Sequence, residues 1–315
     1  MAAEELEATL LGAPRQWDRD EVARQVGVDI DRASGLWAAL GFAEVPPDEI
    51  AFTALDVEAL RTAVALGASG IVDPDVLLVL ARAMGQALSR LAEAQVEVFK
   101  GQAQGLSADE IRAAAAVASA DVLPQLESLL VHVWRRHFAA ATERSLVALM
   151  SDGHPVLAVG FVDLVGFTRT SRETSSRELE DLLERFERET ALRVTANGGR
   201  VVKTLGDGVL FVADTIAGAA EVVLGTVGEH ELDESLPEVR AGLALGPVLS
   251  RLGDVFGEPV NLASRLTDEA RPSSVLVDRA AAEALAHDPR YRLTTLKHRS
   301  VRGYRALRPH VLRRA

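Results

Sequence analysis

The chain changes its hydrophobic period half-way along. Up to about residue 150, apolar side chains recur at helical spacing, Ala and Leu dominate, and β-branched alternation is scarce. Turn signals at Pro46-Pro47 and Gly70 cut this half into shorter pieces. Near its start, DRDEVARQVGVDIDRASGLWAALGF predicts two short helices around a tight turn at Gly27, with Asp18 as amino-terminal cap and Gly41 as stop. From Asp73 to Met150 the pattern is amphipathic helix, broken near Gly101–Ser107. The last piece, about Ala120–Met150, sets Leu126, Leu129, Leu130, Val133, Trp134, Phe138, Leu146 and Leu149 at helical spacing, and it ends at SDGHP (151–155). It is expected to be a connecting helix.

Beyond it the pattern switches to strands. The reading is a strand at Val156–Asp163, a helix at Ser176–Asn197 and a hairpin VVKTLGDGVLFVA turning at Gly206–Gly208. A helix at Ala217–Glu229, strands at Val239–Leu245 and Val248–Leu252, a helix at Val260–Glu269 and a strand at Val275–Val277 follow. Strand, helix, hairpin, helix, strand make a ferredoxin-like βαββαβ sandwich with helices on one sheet face. The expected class is therefore α+β, with an all-α domain over 1–150 and a second domain over 155–315.

Composition narrows the function. The chain has 315 residues, enough for two domains. It carries 34 basic against 46 acidic side chains, a net charge of −12, which argues against an extended footprint for nucleic acid or anionic lipid. Residues 1–150 hold 12 basic and 22 acidic groups, whereas 151–315 hold 22 and 24, so the acidity lies in the helical half. There is no cysteine, which excludes disulfides and thiol catalysis. No apolar run approaches the roughly 18 residues of a membrane span, and MAAEELEATL lacks the basic flank of a signal peptide, so a cytoplasmic protein is expected. The only lysines are Lys100, Lys203 and Lys297.

Three stretches of the second half carry candidate chemistry. FVDLVGFT ends a strand in Asp163, followed by a turn with Gly166 whose free amides could cradle phosphate beside a hard cation. KTLGDG sets Asp207 at a hairpin tip. In a ferredoxin-like sheet that tip lies beside the first strand, so Asp207 can meet Asp163 although 44 residues separate them. Two carboxylates so placed would repel without a divalent ion between them, as in phosphoryl-transfer metal sites. In DVFGEPVNLASRL, Asp254 is read in a loop, and Asn261 and Arg265 share one helix face. An acid, then a neutral polar group and an arginine on one face, suits base reading next to phosphate stabilisation.

Taken in order, these motifs make residues 155–315 resemble a class III nucleotidyl cyclase catalytic domain. The resemblance implies a head-to-tail homodimer with catalytic centres at the interface and ATP as substrate. It implies two magnesium or manganese ions on Asp163, Asp207 and the carbonyl of Leu164, and triphosphate binding by amides around Gly166, Phe167 and Thr168. From the partner chain, Lys203 and Asp254 would read adenine, Asn261 would orient the ribose, and Arg265 would stabilise charge on the α-phosphate. Cyclases that read guanine commonly carry Glu and a small polar residue where this chain has Lys203 and Asp254, so ATP is expected. The family's carboxyl-terminal leucine-lysine-glycine segment is replaced by SVRGYRAL, which offers Arg302 to the β- and γ-phosphates, with Lys297 as the other candidate.

The helical half resembles the amino-terminal regulatory domains fused to soluble actinobacterial cyclases, some of which respond to pH and bind fatty acid. The connecting helix carries His132 and His137, and histidine, the side chain whose charge commonly switches around neutral pH, could bias two packings. A lipid pocket among Val76–Ala87 and Leu126–Trp134 is conceivable, though the pattern does not separate it from plain core. The start of this half also resembles the helix-turn-helix of mercury-resistance-type regulators, but Asp29 and Asp31 on the would-be reading helix argue against DNA. Two alternatives to an adenylate cyclase remain: a silent nucleotide-binding scaffold, and a DNA-binding regulator with a nucleotide sensor.

Overall fold

In the computed structural model, which describes residues 7–103, 105–150, 154–167, 174–232, 236–301 and 304–315, the capping signals at the start act as read. Asp18 precedes helix α1 (Arg19–Val26), its carboxylate accepting from the Glu21 amide at 2.8 Å, and Gly27 closes the helix at φ 77°. Helix α2 (Ile30–Leu40) starts at Asp29 and stops at Gly41. Helix α3 (Ala54–Ala68) opens on a Thr53–Asp56 capping box. A small core of Val22, Ala33, Leu36, Trp37, Phe52, Val57, Leu60 and Ala81 joins these helices to the start of α4 (Pro74–Ala103). Trp37 and Phe52 stack at 4.5 Å between ring centroids.

Helix α5 (Ala108–Val117) runs through a π-helical turn (Ala118–Val122) into α6 (Leu123–Met150). The connecting α-helix thus starts later than the sequence pattern suggests. Pro124 has no N–H to offer, and the Leu123 N–H reaches back five residues to the Ala118 carbonyl. The chain divides into two compact units, Met1–Ala140 and Ala141–Ala315, so the boundary falls within the span of α6. No described helix is long and apolar enough to cross a membrane.

In the second unit, β1 (Val156–Leu164) pairs antiparallel with β3 (Gly208–Ala213) on one side and β4 (Val239–Pro247) on the other, and β2 (Gly199–Thr204) lies outside β3. Helix α7 (Ser176–Ala196) joins β1 to β2, and α8 (Ile216–Leu232) joins β3 to β4. The order β2-β3-β1-β4 with these two crossovers is the expected βαββαβ unit. A hairpin of β5 (Leu249–Arg251) and β6 (Asp254–Phe256) follows, then helix α9 (Glu258–Glu269). Strands β7 (Val275–Val277), β8 (Tyr291–Thr295) and β9 (His310–Arg314) widen the sheet to seven strands, β9 lying between β7 and β8.

Alternation along β1 sends Ala158, Val162 and Leu164 to a core shared with Phe186 of α7 and Val222 and Val223 of α8. Val159 faces the other way, into a cluster with Leu210, Val212, Ala244, Val255 and Ala263 of α9. Helices therefore cover both faces, not one: α7 and α8 take the expected face, and α9 takes the opposite one. Gly242 of β4 makes that possible, because a Cβ there would stand 2.4 Å from the Ala263 carbonyl of α9. The expected strand over Val248–Leu252 is in fact half of a hairpin. Leu252 and Gly253, at φ 51° and 85°, turn the chain so that Asp254 begins a strand instead of lying in a loop. Leu-Gly is not a strong turn signal, and the pairing passes unseen in the sequence.

Candidate active site

Strand β1 delivers Asp163 to its carboxyl end, where its register partners are Gly208 on β3 and Arg240 on β4. The β2–β3 turn is tied by the Leu205 amide to the Gly208 carbonyl at 2.7 Å, which sets Asp207 beside Asp163. The Leu164 amide donates to the Asp207 carbonyl at 3.0 Å, pinning the two motifs together. Gly208 matters at this point: a side chain there would bring its Cβ to 3.5 Å from Asp163 Oδ1, so glycine keeps the space beside that oxygen open.

Arg240 holds the other oxygen. Its Nε and Nη2 lie 2.8 and 2.6 Å from Asp163 Oδ2. Burial pushes the Asp163 carboxyl above the usual carboxylate range, Arg240 opposes that shift, and the charges of Asp207 and Asp268 reinforce it. This corner has more negative charge than one arginine neutralises. Among the described residues no three of His, Asp and Glu gather where they could hold a metal. The available donors are two carboxylates and a main-chain carbonyl. That hard-oxygen set suits magnesium or manganese, which keep waters and take further ligands from substrate phosphates.

The expected amide cradle is partly spent. The Val165 N–H donates to the Glu238 carbonyl at 2.8 Å, so the first amide of the turn is not free as the sequence reading held. Gly166 adopts φ 74°, and Phe167 packs against the core from the surface. Thr168 lies outside the described residues, as does Arg302. Lys297 is described and exposed.

Lys203 and Asp254, 51 residues apart, meet at 2.6 Å. Two local features bring them together. Opposite β3, Val201 pairs with Phe211 and Lys203 with Leu210, so Val202 is an extra residue in β2. The β5–β6 hairpin then carries Asp254 to the same sheet face. Lys203 holds the Asp254 carboxyl below the usual range, and the Val255 amide adds to this with a 2.8 Å bond to Oδ1. The pair remains accessible, with side chains 40% and 30% exposed.

Asn261 and Arg265 stand one turn apart on α9, which packs on β4 and β1. Asn261 is exposed, and Arg265 Nη1 bonds Asp268 Oδ2 at 3.1 Å. Every described residue of the three motifs therefore lies on the β1–β4 portion of the sheet or the elements packed on it. Arg240 and Asp268 went unnoticed in the sequence. The available signal was one arginine in the otherwise apolar run VRAGLALG (239–246), on the strand beside the one carrying Asp163.

The family model described as "Adenylate and Guanylate cyclase catalytic domain" matches residues 150–314. The chain belongs to that family. This cyclase-family chain is 44% identical over 285 residues to an "Adenylate cyclase" of Streptomyces coelicolor, covering 89% of this chain and 74% of the relative. An "Adenylate cyclase" of Glutamicibacter nicotianae is 36% identical over 326 residues, covering 98% and 81%. A "pH-sensitive adenylate cyclase" of Mycobacterium tuberculosis is 32% identical over 280 residues, covering 85% and 70%. These alignments run well beyond the catalytic domain of the cyclase family into the helical unit.

Proposed function

We propose that this chain is an adenylate cyclase, a phosphorus–oxygen lyase that converts ATP to 3′,5′-cyclic AMP and pyrophosphate in a cytoplasmic homodimer with centres at the interface. The observation that carries the choice of ATP is the Lys203–Asp254 pair at 2.6 Å. An ammonium donates to an adenine ring nitrogen, and a carboxylate accepts from its exocyclic amine. Guanine presents the reverse polarity at those positions, which would leave both groups mismatched.

In this reading the ribose 3′-oxygen attacks the α-phosphorus, the bond to the bridging oxygen breaks, and pyrophosphate leaves with that electron pair. The 3′-hydroxyl proton goes to water or to a substrate phosphate oxygen, since no side chain is placed as a dedicated base. Asn261 holds the ribose so that attack is in line, and Arg265 meets charge developing on the α-phosphate. Amides around Gly166, Phe167 and Thr168 take the triphosphate, and Arg302 or Lys297 takes its far end. Asp163, Asp207 and the Leu164 carbonyl would hold two magnesium or manganese ions, which when bound lower the hydroxyl pKa and neutralise the leaving group.

The helical unit acts in cis through α6, with protons or a lipid as effectors. His132 lies on α6 on an exposed face shared with Ser128 and Leu129. The name of the mycobacterial relative supports a proton.

The test is cyclic AMP formation by the full chain with manganese. Asp207→Ala should lower turnover at least about a hundredfold, since the several kcal/mol a metal supplies would be lost. ATP binding without turnover in the unmodified chain would leave the scaffold reading, and a salt-dependent DNA gel shift would favour the regulator. A His132→Ala/His137→Ala chain should flatten the activity profile between about pH 5.5 and 8 if protons are the effector.

A further inference from the structure

One buried histidine has no part in the three motifs. His230, in the last turn of α8, is 3% exposed, and its ring meets Phe186 of α7 edge-on at 5.9 Å between centroids. Its Nδ1 lies 2.9 Å from the Pro237 carbonyl oxygen. A carbonyl only accepts, so Nδ1 carries the proton, and Nε2 of the neutral ring keeps a lone pair. That Nε2 is buried and meets no hydrogen-bond partner among the described residues. Among those residues the ring therefore has one hydrogen bond, and it goes to the segment that enters β4.

This segment leads to the phosphate side of the site. The β1–β4 ladder ends with Leu164 opposite Val239, and the Val165 N–H to Glu238 carbonyl bond at 2.8 Å extends it by one residue. Gly166 follows at once and turns the chain at φ 74°. Glu238 is exposed, yet it is gripped from a second side. Ser273, at φ 52°, donates from its hydroxyl to Glu238 Oε1 at 3.1 Å and from its amide to the Val239 carbonyl at 3.0 Å. We propose that His230 is a positioning residue for the triphosphate-binding turn. Through the Pro237 carbonyl it sets the Glu238 carbonyl, and through that the height at which the Val165–Phe167 turn leaves β1. Main-chain donors stabilise a phosphate only when they are held where its oxygens arrive. The inference rests on the cyclase reading given above.

The experiment separates the ring from its donor in the full chain. His230→Phe keeps a ring against Phe186 and removes the N–H, whereas His230→Asn keeps an N–H near the Nδ1 position and removes the ring. Binding of 3′-deoxy-ATP, which lacks the attacking hydroxyl, and of inorganic triphosphate is followed by calorimetry with manganese, beside melting curves. Support would be both probes bound about tenfold weaker by His230→Phe, since a misplacement of about 1 Å can cost about a hundredfold. His230→Asn should then bind both nearly as wild type does, although it melts lower. A packing role alone gives the reverse, with affinity following the melting order.

The proposal is overturned if His230→Phe binds as wild type does, or if His230→Asn binds as poorly as His230→Phe. A loss seen with 3′-deoxy-ATP but not with triphosphate would put the effect at the nucleoside and overturn it too, as would failure of both variants to fold. Should the wild-type chain bind the probes but make no cyclic AMP, the cyclase reading fails and the same comparison still decides this inference. Should wild type be active while His230→Phe is indistinguishable from it, only this inference fails. Binding of neither probe by wild type would overturn both.

Discussion

The two units of the chain bury their apolar side chains in opposite ways. The catalytic unit fills both faces of its sheet, with Phe186, Phe211, Leu210, Leu243 and Leu266 each no more than 1% exposed. Among the described residues of the helical unit, the core is confined to α1–α3 and the start of α4. Farther along, Met84, Val98, Trp134 and Phe138 stand 56%, 63%, 57% and 62% exposed. Extensive apolar exposure of this kind marks surfaces that function by meeting something else. One unit has the finished interior that a rigid site requires, whereas the other presents an unfinished helical surface, as suits a part that responds.

The sharpest way to break this contrast is to remove one large aromatic from each unit. Phe211→Ala should cost about 3–5 kcal/mol in denaturant unfolding, while Trp134→Ala should stay within about 0.5 kcal/mol. A large loss at Trp134 would mean that its face is covered in solution. Next comes Gly242→Ala, which drives a methyl into the α9 backbone and should cost about 1–3 kcal/mol. It should also depress cyclic AMP formation, because α9 carries Asn261 and Arg265. Full activity in that variant would show that α9 tolerates displacement. In the helical unit, Asp18→Ala removes a cap worth about 1 kcal/mol and should leave the activity of the catalytic unit alone, measured by melting and turnover together.

The smallest effect concerns Lys203 and Asp254. The folded carboxyl titrates below its ordinary 3.8. The pair's stabilisation is therefore complete above that value and is lost as pH falls through the lowered one. For so exposed a pair it amounts to about 0–1 kcal/mol. Lys203→Met should reduce this acid-side slope in melting curves to the part the Val255 amide sustains, and an unchanged slope would assign it elsewhere.

Much of this was legible in residue order. The caps at Asp18 and Gly41 and the βαββαβ sequence of elements are local signals, and local chemistry decides them. Asp163 and Asp207 were placed together because a ferredoxin-like sheet sets the hairpin tip beside the first strand. What escaped depends on long-range pairing. Arg240 becomes notable only once β4 lies against β1, and Asp268 only once α9 crosses over them. The β5–β6 hairpin escaped because Leu252 turns at positive φ without the Asn or Gly that usually announces it. The opposite-face position of α9 was missed because sequence order gives no sign of which side a helix after a strand will take.

The extra residue in β2 has an evolutionary consequence. Side chains along a strand alternate, so a one-residue slip inverts every position after it. With Val202 bulged out, Lys203 shares the Leu210 face with Asp254; were Val202 paired in regular register instead, Lys203 would fall opposite Val209, toward the interior under α7 and α8. If Lys203 reads the base as proposed, nucleotide preference rests on strand phase as well as on side-chain identity. A lineage could turn that lysine inward by absorbing the bulge into regular pairing, with no change at the lysine itself.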